Sequence, residues 1–247
     1  ICVITVALGL QLKNLVIDND TTKFLPKNHP SRKEFKEIED TYGGNMMIGV
    51  SLKFNEGYVY SKENLEIIEK LTAEFENAPY VESVTSIMNV DYLFGTENGI
   101  ETMKLVENIP ETANEEEIIK QRLLSWKIYK GNFYSDDFQG SLVAITLEQG
   151  IESKNAEETH KSIKKILKNY ESERYTAYVA GFPTFLVIIA ESMRADLIRL
   201  IPFVVIILIG TLFLSFRSVG GVVLPTITVL ITTVCTLGLM ALFHVNL

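Results

Sequence analysis

Two charge-free apolar runs separated by a short polar bend restrict this chain more than any other feature. Leu200–Leu214 reads LIPFVVIILIGTLFL, and Val222–Phe243 reads VVLPTITVLITTVCTLGLMALF. A helix rises about 1.5 Å per residue and a bilayer core is about 30 Å thick, so about 20 apolar residues cross it. The second run has 22 residues, and the first reaches a spanning length once Leu197, Ile198 and Phe216 are included. A buried helical hairpin is the soluble alternative, but two adjacent uncharged runs of this length are rare in soluble domains. Between them lie Ser215-Phe216-Arg217-Ser218 and Gly220-Gly221. That bend cannot hold a domain, so the helices are expected to be antiparallel with Arg217 at one membrane face. Short loops bearing Lys or Arg tend to stay cytoplasmic. The large charged segment before the hairpin is then expected outside.

Charge is segregated in the same way. All 31 acidic residues lie at or before Asp196, and Arg199 and Arg217 are the two of 23 basic residues beyond it. The whole-chain charge of −8 is therefore −10 up to Asp196 and +2 after it. Nucleic-acid binding needs a basic footprint and is excluded, whereas a solvated acidic ectodomain fits. By steering alone the acidic balance favours cationic or neutral cargo, although net charge does not describe a pocket. The two cysteines, Cys2 and Cys235, both sit in apolar stretches, so the outer region has no disulfide. That leans toward a bacterial or archaeal envelope protein.

The chain opens on ICVITVALGL, with neither an initiator Met nor a basic n-region. A cleaved signal peptide is not supported. The outer half of a membrane helix is expected instead, and the chain as a whole is expected to be a fragment of a longer multi-pass protein. The organisation expected is the end of a first membrane helix over 1–12 and an outer domain over 13–182. A second membrane helix with an outer extension follows over 183–216, then a cytoplasmic bend over 217–221 and a third helix over 222–243.

Within the outer region, Lys13 and Asn14 mark the exit to water, and Asp18 to Pro30 forms an extended entry segment. Ser31 with Glu34 spells a capping box for a helix to about Tyr42, with Phe35, Ile38 and Tyr42 on one face and Gly43-Gly44 as its stop. Met46, Ile48, Val50, Leu52 and Phe54 alternate as a strand does. Ser61 caps a helix whose stripe is Leu65, Ile68, Leu71, Thr72 and Phe75, with Asn64 where a capping box would place Glu. Pro79 follows, and Tyr80 to Met88 forms a strand. Asn114 is expected to cap a helix over 115–125, favoured by its first-turn carboxylates. Ser141 to Glu148 is a strand. Ser153 or Asn155 caps a helix to about Tyr170 that buries Ile163, Ile166 and Leu167 and turns a Lys-rich back to solvent. Tyr175 to Ala180 is the last strand. Two βαβ units with antiparallel partners predict a ferredoxin-like α+β sandwich inserted between transmembrane helices.

Phe24-Leu25-Pro26, Tyr42-Gly43, Gly181-Phe182-Pro183, Phe216-Arg217-Ser218 with Gly220 or Gly221, and Leu224-Pro225 occur in order around three apolar runs. In that order and spacing the chain resembles the N-terminal half of transporters of the resistance-nodulation-division superfamily. Its similarity is greatest to the exporters of the mycobacterial-membrane-protein-large branch. The resemblance covers almost the whole chain. It implies a multi-pass inner-membrane protein of two six-helix halves, each with a periplasmic porter domain between its first two helices. Such proteins export lipids, drugs or other amphiphiles on an ion gradient. The implied partners are membrane lipids, a hydrophobic or amphiphilic substrate, the remaining transmembrane half, and in some relatives further copies of the same protein. The acidic relay of such proteins sits on a fourth helix, so no residue here inherits that role. The alternative is a membrane-anchored periplasmic binding module, with a protein-export accessory of the same superfamily as a nearby variant.

Candidate residues follow from cost and chemistry. Trp126, Tyr129, Phe133 and Tyr134 either contact lipid or substrate or, as is commoner, fill the core between a helix and a sheet. Pro202 and Pro225 each remove a backbone donor and are candidate hinges, although proline near a helix start is also simply tolerated. Arg217 marks the bend. Thr228, with Thr226, Thr232 and Thr233, gives the third helix a partly polar side whose hydroxyls bond neighbouring helices or their own backbone. Glu191 with Arg194, and Asp196 with Arg199, are spaced to meet as ion pairs. His244 is an interfacial end-marker. Neither a P-loop nor a nucleophile motif occurs, and the three histidines are scattered. No cofactor, metal or enzymatic activity is expected.

Overall fold

The computed structural model describes residues 2–11, 26, 28–42, 46–97, 99–151 and 153–243. His244, Phe24-Leu25, Gly43-Gly44 and the Lys13-Asn14 exit lie outside the described residues. The chain divides into two compact units: Thr21–Ile188, and a second formed by Ile1–Asp20 together with Ile189–Leu247.

The first unit is built on β1 (Met47–Phe54), which alternates in sequence and therefore in burial. Ile48, Val50, Leu52 and Phe54 are buried, each contributing about 1.5–3 kcal/mol of transfer free energy. β1 pairs antiparallel with β5 (Gly140–Leu147) on one side and β6 (Tyr175–Gly181) on the other. β2 (Val81–Thr85) pairs antiparallel with β5, so the sheet order is β2-β5-β1-β6. Helix α3 (Lys62–Glu76) connects β1 to β2, and α5 (Ser153–Asn169) connects β5 to β6. The whole predicted stripe of α3 is buried: Leu65, Ile68, Leu71, Thr72 and Phe75. Of the α5 positions, Ile163 is fully buried, whereas Ile166 and Leu167 are only partly so.

Asn64 is no imperfect cap. Its side chain is fully buried, donates to the carbonyls of Glu56 and Tyr58, and accepts from Arg174 Nε at 3.3 Å. A buried amide so satisfied ties the β1–α3 loop to the segment before β6.

Three local expectations are corrected. Helix α2 (Pro30–Tyr42) starts at Pro30, not after Ser31, because a ring with φ fixed near −65° and no N–H suits the first helical position. Its Phe35 and Ile38 remain exposed. Helix α4 (Ala113–Ser125) is capped by Thr112, not Asn114: Thr112 Oγ1 accepts from Glu115 N, and the Glu115 carboxylate reaches back to Thr112 N. The stretch after β2 also holds a hairpin that was not anticipated, β3 (Asp91–Thr96) with β4 (Gly99–Lys104).

In the second unit, α6 (Phe182–Phe216) and α7 (Val219–Leu242) are the two described helices long and apolar enough to cross a membrane. α1 (Cys2–Gln11) packs along α7. Among the described residues neither Glu191–Arg194 nor Asp196–Arg199 closes into an ion pair, and all four side chains are exposed. Solvated charges at this spacing gain too little from each other to fix two long side chains.

Candidate functional site

α6 and α7 turn on a tightly specified bend. Arg217 adopts φ 48°, and its N–H donates to Phe213 O at 2.8 Å, ending α6. Ser218 caps α7 by accepting from Gly221 N at 3.2 Å. A Cβ on Gly221 would lie 2.6 Å from Phe216 Cβ, whereas one on Gly220 would meet nothing within 4 Å. Gly221 is thus the glycine that the bend requires.

Both prolines are interior. α6 begins at Phe182, so Pro202 lies far beyond its first turn, and Pro225 lies inside α7. Lacking an N–H, Pro202 leaves the carbonyl of Ile198 without its helical donor, and Pro225 does the same to Gly221. The threonines of α7 return their hydroxyls to their own helix: Thr226 to Val222 O, Thr228 to Leu224 O at 2.9 Å, Thr232 to Thr228 O and Thr233 to Val229 O. Such back-bonding can bend a helix. Around Pro225 it concentrates two such bonds within one turn.

α1 and α7 approach closely. A Cβ on Gly238 would lie 2.5 Å from Leu8 O and 2.7 Å from Leu8 Cβ. Thr5 Oγ1 lies 3.8 Å from Cys235 Sγ. The contacts of Thr5 with Cys235, Leu8 with Gly238 and Gly9 with Val234 seat α1 against one stretch of α7. Small residues at such crossings let backbones meet where hydrocarbon supplies no hydrophobic drive. The sequence marked Gly220 or Gly221 at the bend without choosing between them and left Gly238 unmarked, since its role shows only once the packing is known.

The aromatic segment after α4 belongs to the first unit. Trp126 Nε1 donates to Leu93 O at 2.9 Å, and Tyr129 Oη to Asp91 O at 2.8 Å, so both rings clamp the segment onto β3. Phe133 tilts against Tyr129 at 6.1 Å. Tyr134 stacks on Phe138 at 4.8 Å and donates to Leu123 O. Tyr129 and Tyr134 are buried and Phe133 is half-buried, while Trp126 keeps 41% of its surface exposed beside exposed Leu124 and Ile128. Burial first, then the neighbouring Tyr92 and Asp91, pushes the Tyr129 phenol above its ordinary value. The structure thus brings Tyr129 and Phe133 into ring contact, sets Tyr134 on Phe138 and Trp126 against β3, and leaves Trp126 the exposed member of the four. These groups are suited to apolar contact and positioning rather than to proton transfer near neutral pH.

At the junction of β6 and α6, Gly181 adopts φ 128°, and a Cβ there would lie 2.2 Å from Met47 O. The glycine of Gly181-Phe182-Pro183 lets the end of β6 lie against the β1 backbone at Met47 before Pro183 enters the first turn of α6.

The MMPL family profile matches residues 23–247. A Methanocaldococcus jannaschii protein provisionally named as a membrane protein is 21% identical over 253 residues, covering 100% of this chain and 63% of the relative. The chain thus spans 63% of the length of that curated relative.

Proposed function

The chain belongs to the MMPL family, and on that premise we propose that it is the N-terminal part of an ion-gradient-driven exporter of lipids or other amphiphilic compounds. The observation that carries this reading is the order of parts: α1, an inserted α/β unit, then α6, the Arg217 bend and α7, within a family match reaching from residue 23 to 247. Family membership supports a membrane transporter-like protein, and export, the ion gradient and lipid cargo are what we propose for it.

In this reading Thr21–Ile188 is a ferredoxin-like porter domain on the periplasmic side of an inner membrane. The order β2-β5-β1-β6, fully antiparallel, and the crossovers through α3 and α5 support it. Arg217 faces the cytoplasm. α1 is the outer end of a first membrane helix, which its packing against α7 supports. The interior prolines of α6 and α7 and the close α1–α7 contact suit a bundle that moves as a body while the helices flex at defined points, as alternating access requires. Trp126 is the contact for cargo in this segment, with half-buried Phe133 beside Tyr129, while Tyr129 and Tyr134 belong to the core that holds it.

The test is proton counterflow. The full-length protein is reconstituted into vesicles holding a pH-sensitive dye, and candidate amphiphiles are added. The expected result is a protein-dependent change of lumenal pH that a protonophore abolishes. Binding of amphiphile with no pH response in either direction favours the membrane-anchored binding module instead.

A further inference from the structure

The edge of the sheet carries a groove that the sequence concealed. β6 is an edge strand, and α5 overlies its helix-side face, leaving an open cleft of about 750 Å³. Leu167, Ala177 and Val179 give it an apolar floor, and Lys164 and Lys168 form one wall. Lys164, Leu167 and Lys168 are spaced i, i+3 and i+4, so they share one stripe of α5, and Glu171 follows just beyond its end. The size is in the range of about 300–1,000 Å³ typical of small-ligand sites.

The groove carries two lysines and two glutamates, Lys164 and Lys168 on the helix wall and Glu171 and Glu173 at its far end. Lys161, on the same helix, pairs with Glu157. Among the described residues Lys164 and Lys168 pair with no carboxylate, although Glu171 and Glu173 also line the groove. Two ammonium groups one turn apart on a helix repel each other, and an anion set between them removes that repulsion. Lys168 additionally lies in the last turn of α5, where a cation suits the helix dipole, but Lys164 does not. Asn55 Nδ2 donates to Glu173 O at 2.8 Å, which holds that acidic end in place. A negative end beside a positive wall directs an acidic group toward the lysines and rejects it elsewhere.

We propose that the α5–β6 groove binds an anionic amphiphile, with its carboxylate or phosphate head between Lys164 and Lys168 and its hydrocarbon chain over Leu167, Ala177 and Val179. This rests on the exporter reading and names its cargo as acidic. The unit's overall negative charge governs long-range steering, whereas the local pair of lysines governs the pocket.

The test uses the full-length protein in maltoside micelles and a dansyl-undecanoic acid probe, with its neutral methyl ester as comparison. The expected result is that Lys164→Glu/Lys168→Glu weakens the acid by about tenfold or more, while Lys164→Arg/Lys168→Arg and the control Lys154→Glu leave it within about twofold. The ester binds weakly to all of them. If the charge-reversed protein does not fold, Lys164→Gln/Lys168→Gln takes its place. Equal binding of acid and ester, acid binding indifferent to the charge reversal, or displacement by equimolar inorganic phosphate overturns the proposal. Gradient-driven flux that persists while the groove variants bind normally leaves the exporter standing without this site. Groove binding with no flux in vesicles keeps the site and sinks the exporter.

Discussion

The α1–α7 contact can be tested by adding a single methyl group at two glycines. Gly238→Ala places a Cβ 2.5 Å from Leu8 O and 2.7 Å from Leu8 Cβ, against backbone that cannot rotate away. Gly9→Ala places one 3.5 Å from Val234 Cγ1, an ordinary contact. Both substitutions gain helix propensity of about 1 kcal/mol, so comparing them cancels that term. What remains is overpacking at Gly238, about 1–3 kcal/mol. The chain's one tryptophan, Trp126, lies in the other unit and is blind to this contact. Cys235 is the natural reporter, since its Sγ sits 3.8 Å from Thr5 Oγ1. In a Cys2→Ala background, N-ethylmaleimide labelling of Cys235 in micelles reads how often α1 and α7 part. At tenfold per 1.4 kcal/mol, Gly238→Ala should label about 5- to 150-fold faster than Gly9→Ala. Equal rates for the two variants would refute the close approach of α1 and α7.

The remaining expectations concern other levels of the structure. Thr112→Ala removes the acceptor of the α4 capping box at a cost of about 0.5–2 kcal/mol, so hydrogen exchange at the Glu115 and Glu116 amides should speed by about 2- to 30-fold. Burial raises the phenols of Tyr60, Tyr129 and Tyr175 above their ordinary 10.0. Above pH 10.0 the unfolded chain loses these protons first, so the stabilisation is complete below that pH and is lost as pH rises through the raised folded values. Denaturation followed by Trp126 fluorescence should show stability falling from pH 9 to 11, less steeply in Tyr129→Phe; a pH-independent midpoint contradicts this. Gly221→Ala should lower the yield of folded protein by disturbing the bend, while Gly220→Ala should be tolerated, as judged by gel filtration of detergent-solubilised protein.

Much of the fold was legible because its signals are periodic. The alternation of β1 and the stripe of α3 follow from the sequence residue by residue, since strand and helix geometry impose those periods on any half-buried element. The β3–β4 hairpin was equally available: Tyr92, Phe94 and Met103 fall at alternate places around Asn98-Gly99, a turn signal that was passed over. The α4 cap was misplaced by two residues, although Thr112 and Glu115 stand at capping-box spacing. Other features depend on long-range contact and have no local signature. Asn64 looks like a failed cap until Arg174 meets it from 110 residues away. Lys164 and Lys168 read as a solvated face, which they are, and only the place of β6 shows that they flank a groove. Gly181, Gly221 and Gly238 are motif letters or plain apolar-run residues in sequence, and only the atoms opposite them explain why a Cβ is excluded.

The most direct test of the account is gradient-driven movement of an amphiphile. The full-length protein is reconstituted into vesicles of fixed orientation, a proton or sodium gradient is imposed, and a fluorescent amphiphile is followed across the bilayer. The account predicts accumulation against the amphiphile's own gradient, lost on dissipating the ion gradient. Movement that ignores both ion gradients, or no movement by a protein that still binds the probe, would contradict it.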